Sequence, residues 1–175
     1  MSKWTLTALM VAVAAVALVP GGAGAKKRRP NYLWATVNVC DTKTHPNRMG
    51  LRARMPGNGR RQRMYMRFTA QYHAKKGWRR VKKSRSGWEY AGSARYRWRE
   101  AGFTFGFTKP SPGASYEMRG YVQYQWREKR PHGKGWRVVR RSHRITSAGH
   151  HAAYDGDPKG YSAAHCTIST PPKLP

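Results

Sequence analysis

The stretch YEMRGYVQYQW at residues 116–126 decides the fold that we predict for this chain. Apolar and polar side chains alternate along it, and a period of two is typical of a β-strand that is buried on one face. The predicted buried face carries Tyr116, Met118, Val122, Tyr124 and Trp126. Gly120 falls on the same face, where it indicates a bulge or a closely approaching neighbour. We therefore predict a long central strand.

Shorter alternating stretches surround this strand. They lie at residues 33–40, 49–56, 64–73, 78–83, 88–92, 94–98, 103–107, 136–145 and 161–168. Turn signals such as Pro-Gly-Asn-Gly at 56–59 separate them, and residues 82–87 and 148–160 read as irregular. No amphipathic helical pattern of useful length follows residue 25. The sequence predicts an all-β domain at residues 33–169, folded as a single antiparallel β-sandwich and followed by a tail at 170–175.

The first 25 residues have the features of a secretory signal peptide. Lys3 precedes an apolar run at residues 6–19, and Ala-Gly-Ala at 23–25 suits a cleavage site. A single-pass anchor is the alternative, but the run is short for a bilayer span. We expect a secreted, extracellular protein, with the cell surface as a second location, that begins with a basic arm at residues 26–32.

The charge is strongly one-sided. The chain has 35 Lys and Arg against 7 Asp and Glu, a formal net charge of +28, and removal of the one lysine in the leader leaves +27. A surface this basic attracts polyanions. Solubility, or a codon bias towards arginine, is the alternative explanation. A disordered basic tail is excluded, because apolar and aromatic residues occur throughout.

Two cysteines follow the leader, Cys40 and Cys166. An even count in an exported chain predicts one disulfide, and a pair of free thiols is less favoured after export. The bond would tie the first strand to the last, unlike the central sheet-to-sheet bridge of an antibody domain. A loop this long is stabilised by roughly 4–5 kcal/mol in the chain-entropy treatment.

One pattern occurs twice in the sequence. KGWRRVKKS at residues 76–84 matches KGWRVVRRS at 134–142, and each copy follows a strongly alternating stretch. The repeat predicts two similar hairpins lying side by side in one sheet, although chance in an arginine-rich chain is the alternative. Cations beside flat rings suit phosphates and bases. The predicted polyanion-binding residues are Lys76, Trp78, Arg79, Arg80, Lys82, Lys83, Lys134, Trp136, Arg137, Arg140 and Arg141.

Other tryptophans are expected to pack in the core. On a strand at residues 94–98, Arg95, Arg97 and Arg99 would share one face, with Tyr96 and Trp98 on the other. We predict a core position for Trp98 and for Trp126. For Trp78 and Trp136, packing and ligand stacking remain equal alternatives.

Enzyme motifs are absent, since the chain has no GxSxG, P-loop, GxGxxG or HExxH. Late histidines and aspartates could in principle bind zinc or form an acid–base pair. They are His143, His150, His151, His165, Asp155 and Asp157. Their spacing matches no common site, so a polar loop is favoured, and we predict no catalytic residues, no cofactor and no metal.

The chain resembles a family of small secreted actinobacterial β-sandwich proteins of immunoglobulin or fibronectin type III type. The resemblance rests on VNVCDTKTHPN at residues 37–47, MYMRF at 64–68, GSARYR at 92–97 and DPKGYSAAHC at 157–166. The central strand, with Tyr116 leading into Met118, is similar to the F strand of such sandwiches. This resemblance implies a secreted sandwich and carries over no catalytic residues.

These observations favour a secreted, monomeric, non-enzymatic module that binds an acidic partner. The candidate partners are a wall polymer, nucleic acid or an acidic protein. One alternative is a structural or envelope-associated protein whose charge has no polyanion role. Another is a hydrolase that uses the late histidines and aspartates.

Overall fold

The chain was analysed as a computed structural model that describes residues 32–171, which contain nine strands and no helix. The strands are β1 Trp34–Cys40, β2 Arg48–Pro56, β3 Arg63–Ala74, β4 Gly77–Arg85, β5 Glu89–Ser93, β6 Trp98–Gly106, β7 Ser115–Lys129, β8 Trp136–Ile145 and β9 His165–Ser169. The all-β prediction is confirmed, and β7 is the predicted central strand. The predicted signal peptide lies outside the described residues, as do nearly all of the basic arm and most of the tail. Residues 32–171 include no helix long and apolar enough to cross a membrane.

The strands form two antiparallel sheets, an arrangement consistent with a β-sandwich. The small sheet has the order β1-β2-β6. The large sheet has the order β4-β3-β7-β8, with β5 also paired to β3 and β9 to β7. One hydrophobic cluster joins both sheets, and its largest fully buried side chains include Trp126, Tyr124, Phe68, Met49 and Leu51. Burying each large apolar side chain contributes roughly 1.5–3 kcal/mol, so this cluster is the main stabilising feature.

The predicted alternation of the central strand is confirmed from Met118 to Trp126. Tyr124 and Trp126 are fully buried, and their polar atoms are satisfied by backbone carbonyls of the small sheet. The Tyr124 hydroxyl donates to the carbonyl of Trp34 at 2.7 Å, and Trp126 Nε1 donates to that of Pro56 at 3.1 Å. These bonds let large amphipathic rings occupy the core.

Two tyrosines predicted to face the core are largely accessible. Tyr116 is 44% exposed and Tyr72 is 37% exposed. Both lie at the same end of the large sheet, where Tyr72 pairs with Met118. They line a shallow apolar cleft of about 230 Å³ there. The prediction was wrong because period-two alternation cannot tell where the opposing sheet ends.

Residues 94–97 form a turn, so the predicted strand at 94–98 was wrong. The Ala94 carbonyl accepts hydrogen bonds from the amides of Asn58 and Gly59, and the Arg97 carbonyl accepts one from Gly57. The segment is thus tied to the Pro-Gly-Asn-Gly turn instead of extending β6. Arg95, Tyr96 and Arg97 are exposed, and Trp98 is half-buried instead of lying in the core.

Two other boundaries differ from the prediction. Residues 82–85, expected as loop, continue β4, with Lys83 in a left-handed conformation (φ 58°) that accommodates an irregularity in the β3–β4 register. Residues 161–164, expected as strand, precede β9 and contribute a single bridge between Val37 and Ala163. Both differences depend on cross-strand pairing, which local alternation does not encode.

The predicted disulfide is confirmed. Cys40 and Cys166 are bonded, with a Cα–Cα distance of 5.3 Å and a sequence separation of 126. Cys40 ends β1 in the small sheet, and Cys166 lies in β9 of the large sheet. The bond therefore ties the first strand to the last and also joins the two sheets, at the margin of the small sheet where β1 is the edge strand.

The irregular segment at residues 146–164 covers the outer side of the small sheet. His150 stacks on Trp34 with a centroid distance of 4.4 Å. Asn38 Nδ2 donates to the carbonyls of Tyr154 and Asp155 at 3.0 and 2.8 Å. Asn38 is 4% exposed as a result. The late segment therefore acts as a third layer over β1 and β2.

Candidate functional site

The outer side of the large sheet carries a row of arginines. Arg63 is paired with Arg127, Arg67 with Gln123, and Gln71 with Arg119 across β3 and β7. Directly opposed residues of antiparallel strands point to the same side. All of these positions alternate with core residues, so they share the side away from the small sheet. We call this surface the arginine face, defined by Arg63, Arg67, Arg119 and Arg127.

Glutamines hold three of these arginines in place. Arg67 donates from Nε and Nη2 to Gln123 Oε1 at 3.1 and 2.9 Å. Arg119 Nε donates to Gln71 Oε1 at 2.8 Å, and Arg127 Nε donates to Gln125 Oε1 at 2.9 Å. A glutamine oxygen is a neutral acceptor. It fixes the guanidinium without cancelling the positive charge.

Aromatic rings hold the planes of the same guanidinium groups. The Arg67 guanidinium carbon lies 4.4 Å from the centre of the Trp88 ring, and that of Arg127 lies 4.0 Å from the centre of Tyr65. An arginine in this position is attracted by the ring quadrupole, and its planar group becomes a rigid platform. The face therefore consists of oriented cations set between flat rings.

The arginine face has no carboxylate partner among the described residues. Within residues 32–171, none of its four arginines forms an ion pair with a carboxylate. Burial lowers the pKa of Arg67, and repulsion from Arg85 and Arg127 lowers it further. Burial also lowers the pKa of Arg119. An anion bound at this surface would offset the repulsion among these arginines and favour their charged form.

The charges on this face are regularly spaced. Arg119, the Arg67–Gln123 pair and the Arg63–Arg127 pair follow one another at every fourth residue of β7. At a rise of roughly 3.3 Å per residue, successive levels are about 13 Å apart and the row is about 26 Å long. This is the shape of a track for an extended polymer, not of a pocket for a compact ion.

The two hairpins of the repeated motif lie in this sheet, as the sequence predicted. β3 and β7 are adjacent, and the return strands β4 and β8 flank them. The ring centre of Trp78, the second residue of β4, lies 4.3 Å from the guanidinium carbon of Arg119. The ring centre of Trp136, the first residue of β8, lies 4.2 Å from that of Arg63. Each tryptophan thus reaches across its own hairpin to an arginine of the other one. A half-turn about an axis near the Arg67–Gln123 pair relates the two arrangements.

The predicted polyanion-binding residues do not form one patch. Two groups occupy opposite edges of the sheet, and Lys76 and Lys134 lie in the two turns. The exposed members of the β4 group are Arg79, Arg80, Lys82 and Lys83. On β8, Arg137 lies 3.8 Å from Glu128, Arg140 stacks on Trp126 at 4.5 Å, and Arg141 is exposed.

Sequence reasoning predicted binding through basic outer faces and the two hairpins, but it did not single out the four residues of the arginine face. The outward positions of the alternating stretches 64–73 and 116–126 carry Arg, Gln and Tyr side chains, and this pattern was visible. A polar outer face is the usual finding for a half-buried strand. The missing information was the tertiary arrangement. The β3–β7 register sets Gln123 beside Arg67 and Gln71 beside Arg119. The rings of Trp78 and Trp88 come from outside these two strands.

The late histidines and aspartates do not come together. His150 stacks on Trp34, His151 contacts the Gly160 carbonyl through Nδ1 at 2.8 Å, and His165 lies 3.0 Å from Glu117. Asp155 pairs with Arg52. In the described part of the chain, no group of three or more His, Cys, Asp or Glu side chains is arranged to hold a metal ion.

Asp157 joins two of the motifs that carried the resemblance. Its carboxylate accepts hydrogen bonds from Thr42 at 2.5 Å and from Thr44, and it lies 2.8 Å from His45 Nδ1. These bonds, from Thr42, Thr44 and His45 in that order, lower the pKa of Asp157 to about 2. Its contacts join segment 41–47 to the segment before β9, which indicates a structural role.

Comparison of the chain with protein-family models, with curated proteins and with solved structures gives no significant match. The resemblance to secreted actinobacterial proteins therefore stays a prediction, and so does an immunoglobulin or fibronectin type III topology.

Proposed function

We propose that this chain is a secreted, non-enzymatic module that binds an acidic polymer or protein along the arginine face. The observation that carries the proposal is the row of oriented arginines without carboxylate partners among the described residues. Secretion is supported by the leader at residues 1–25. Binding releases condensed counterions from a polyanion, so affinity falls steeply with salt.

Preorganisation favours this face over the more exposed cations of β4 and β8. A flexible surface lysine or arginine loses conformational entropy when it binds, at a cost of about 0.5–1.5 kcal/mol for each side chain. Arg67, Arg119 and Arg127 are already held by a glutamine and a ring. Their planar groups also suit bidentate contacts with phosphate or carboxylate oxygens.

The test compares two triple variants with equal loss of charge. Arg67→Gln, Arg119→Gln and Arg127→Gln remove the row, whereas Arg79→Gln, Arg80→Gln and Lys82→Gln remove three cations of β4. Binding of the oxidised mature chain to oligo(dT), teichoic acid and heparin is measured across a salt series. We expect the row variant to lose at least tenfold in affinity and about 2 in the log–log salt slope for oligo(dT).

The matched β4 variant should lose less on both measures. Equal losses in the two variants would mean that binding depends on overall charge or on the hairpin edges. Absence of binding at low salt in the unmodified protein would overturn the proposal and favour a structural or envelope role. A third variant, Arg67→Lys, Arg119→Lys and Arg127→Lys, retains the charge but removes the planar guanidinium groups. Thermal melting with the disulfide intact checks that this variant is folded.

A further inference from the structure

A second feature lies at the end of the arginine face that is marked by Trp136. A pocket of about 230 Å³ opens there between β3, β5 and β8, and the side chains that matter are Arg61, Arg63, Arg95, Tyr90 and Trp136. Pockets for whole small molecules have volumes of roughly 300–1,000 Å³. This smaller and open pocket suits one unit of a polymer. We call it the Trp136 pocket.

Two aromatic rings and one guanidinium define its walls. Arg63 lies between the rings, with its guanidinium carbon 4.2 Å from the centre of Trp136 and 5.8 Å from that of Tyr90. Tyr90 is 58% exposed, and its ring is steadied by Tyr65 at a centroid distance of 5.4 Å. More than half of the Tyr90 side chain is therefore accessible to a flat ligand ring.

The free polar groups of the pocket are almost all donors. The three arginines are donor-only groups, and no carboxylate lines the pocket. Gln62, the buried amide at its base, already contacts Asn58 and Glu128. A neutral sugar ring can accept hydrogen bonds through its hydroxyl oxygens, but it does not compensate the charge of the arginines. A nucleobase edge is rich in acceptors, and a phosphate has acceptors only.

We propose that the Trp136 pocket binds one unpaired nucleotide of a single-stranded nucleic acid. The base stacks on Tyr90, and the flanking phosphates contact Arg61 and Arg95. The following phosphates run along the arginine face. This inference rests on the proposed function and narrows its acidic partner to one chemical class. Stacking is tolerant of sequence, because every base has a π-face.

The experiment separates the contribution of aromatic stacking to affinity from the contribution of charge. Oligo(dT) and linear polyphosphate of equal total charge are titrated against the oxidised mature protein at the same salt concentration. We expect oligo(dT) to bind at least fivefold more tightly, since base–aromatic stacking adds affinity that polyphosphate cannot gain. Tyr90→Ala should remove this preference and leave the affinity for polyphosphate unchanged.

Tyr154→Ala is the matched control, because Tyr154 is also 58% exposed and lies in the segment that covers the small sheet. It should change neither affinity. Equal binding of the two polymers by the unmodified protein would overturn the inference while leaving the arginine face as a polyanion site. An unchanged preference in Tyr90→Ala would also overturn it. If neither polymer binds, the proposed function itself fails.

Discussion

Position 120 of the central strand has no room for a side chain. A Cβ added to Gly120 would lie 2.6 Å from Leu51 Cδ1 and 2.7 Å from Thr146 Cγ2. The sequence left two explanations for this glycine, a bulge or a close neighbour. The β3–β7 register runs through it without a break, so the close neighbour is the explanation. Leu51 of the small sheet packs directly on the strand at this point.

Gly120→Ala should therefore destabilise the fold by about 1–3 kcal/mol, the usual cost of an extra methyl group in a packed core. The free energy of unfolding would be measured by urea denaturation with the disulfide intact. Gly106→Ala is the control, since nothing lies within 4 Å of an added Cβ there. Additive effects of Gly120→Ala and Leu51→Ala in a double-mutant cycle would contradict the clash.

At the scale of elements, the segment at residues 146–164 makes the stability of the fold depend on pH through His150. Burial lowers the pKa of His150 below its ordinary value of 6.5, and the nearby charges of Arg54 and His151 lower it further. The ring stacks on Trp34, and its Nε2 lies 3.1 Å from Ser147 Oγ. The folded protein thus prefers the neutral imidazole.

A lowered pKa in the folded state means that this contribution to stability is complete above pH 6.5 and declines as the pH falls below it. We expect His150 to titrate below 6.5 when followed by NMR. We also expect His150→Gln to flatten the dependence of stability on pH below 6.5. A His150 resonance that titrates at or above 6.5 would show that the stacked ring tolerates protonation.

The predicted elements show where sequence information ends. Alternation located most strands correctly, because a strand with one face on the core and one face in solvent alternates apolar and polar side chains. It failed at residues 94–97, which bond to a turn almost 40 positions earlier, and at Tyr72 and Tyr116, which lie at an open end. The four arginines of the arginine face were not singled out for a similar reason, since partners such as Gln123 and Trp88 come from other parts of the chain.

At the scale of the whole molecule, one covalent bond holds the first strand, the last strand and the two sheets together. Replacing both Cys40 and Cys166 by alanine should lower the free energy of unfolding by about 2–5 kcal/mol, mainly because the unfolded chain gains freedom. Urea denaturation of the double variant, beside the oxidised and the reduced unmodified protein, measures this. Equal midpoints for the double variant and the oxidised protein would contradict it.

The two hairpins are nearly equivalent, and this bears on the orientation in which a linear ligand would bind. Under the proposed function, a linear ligand has two opposed orientations along the row. They differ in charge, because the half-turn carries Arg127 onto Gln71. The surroundings of the two tryptophans differ as well. Glu117 lies between His73 and His165 beside Trp78. At the opposite end, three arginines line the Trp136 pocket, and Glu128 accepts a hydrogen bond from Gln62 at its base. Any preference for one orientation of the ligand therefore comes from the two ends of the row.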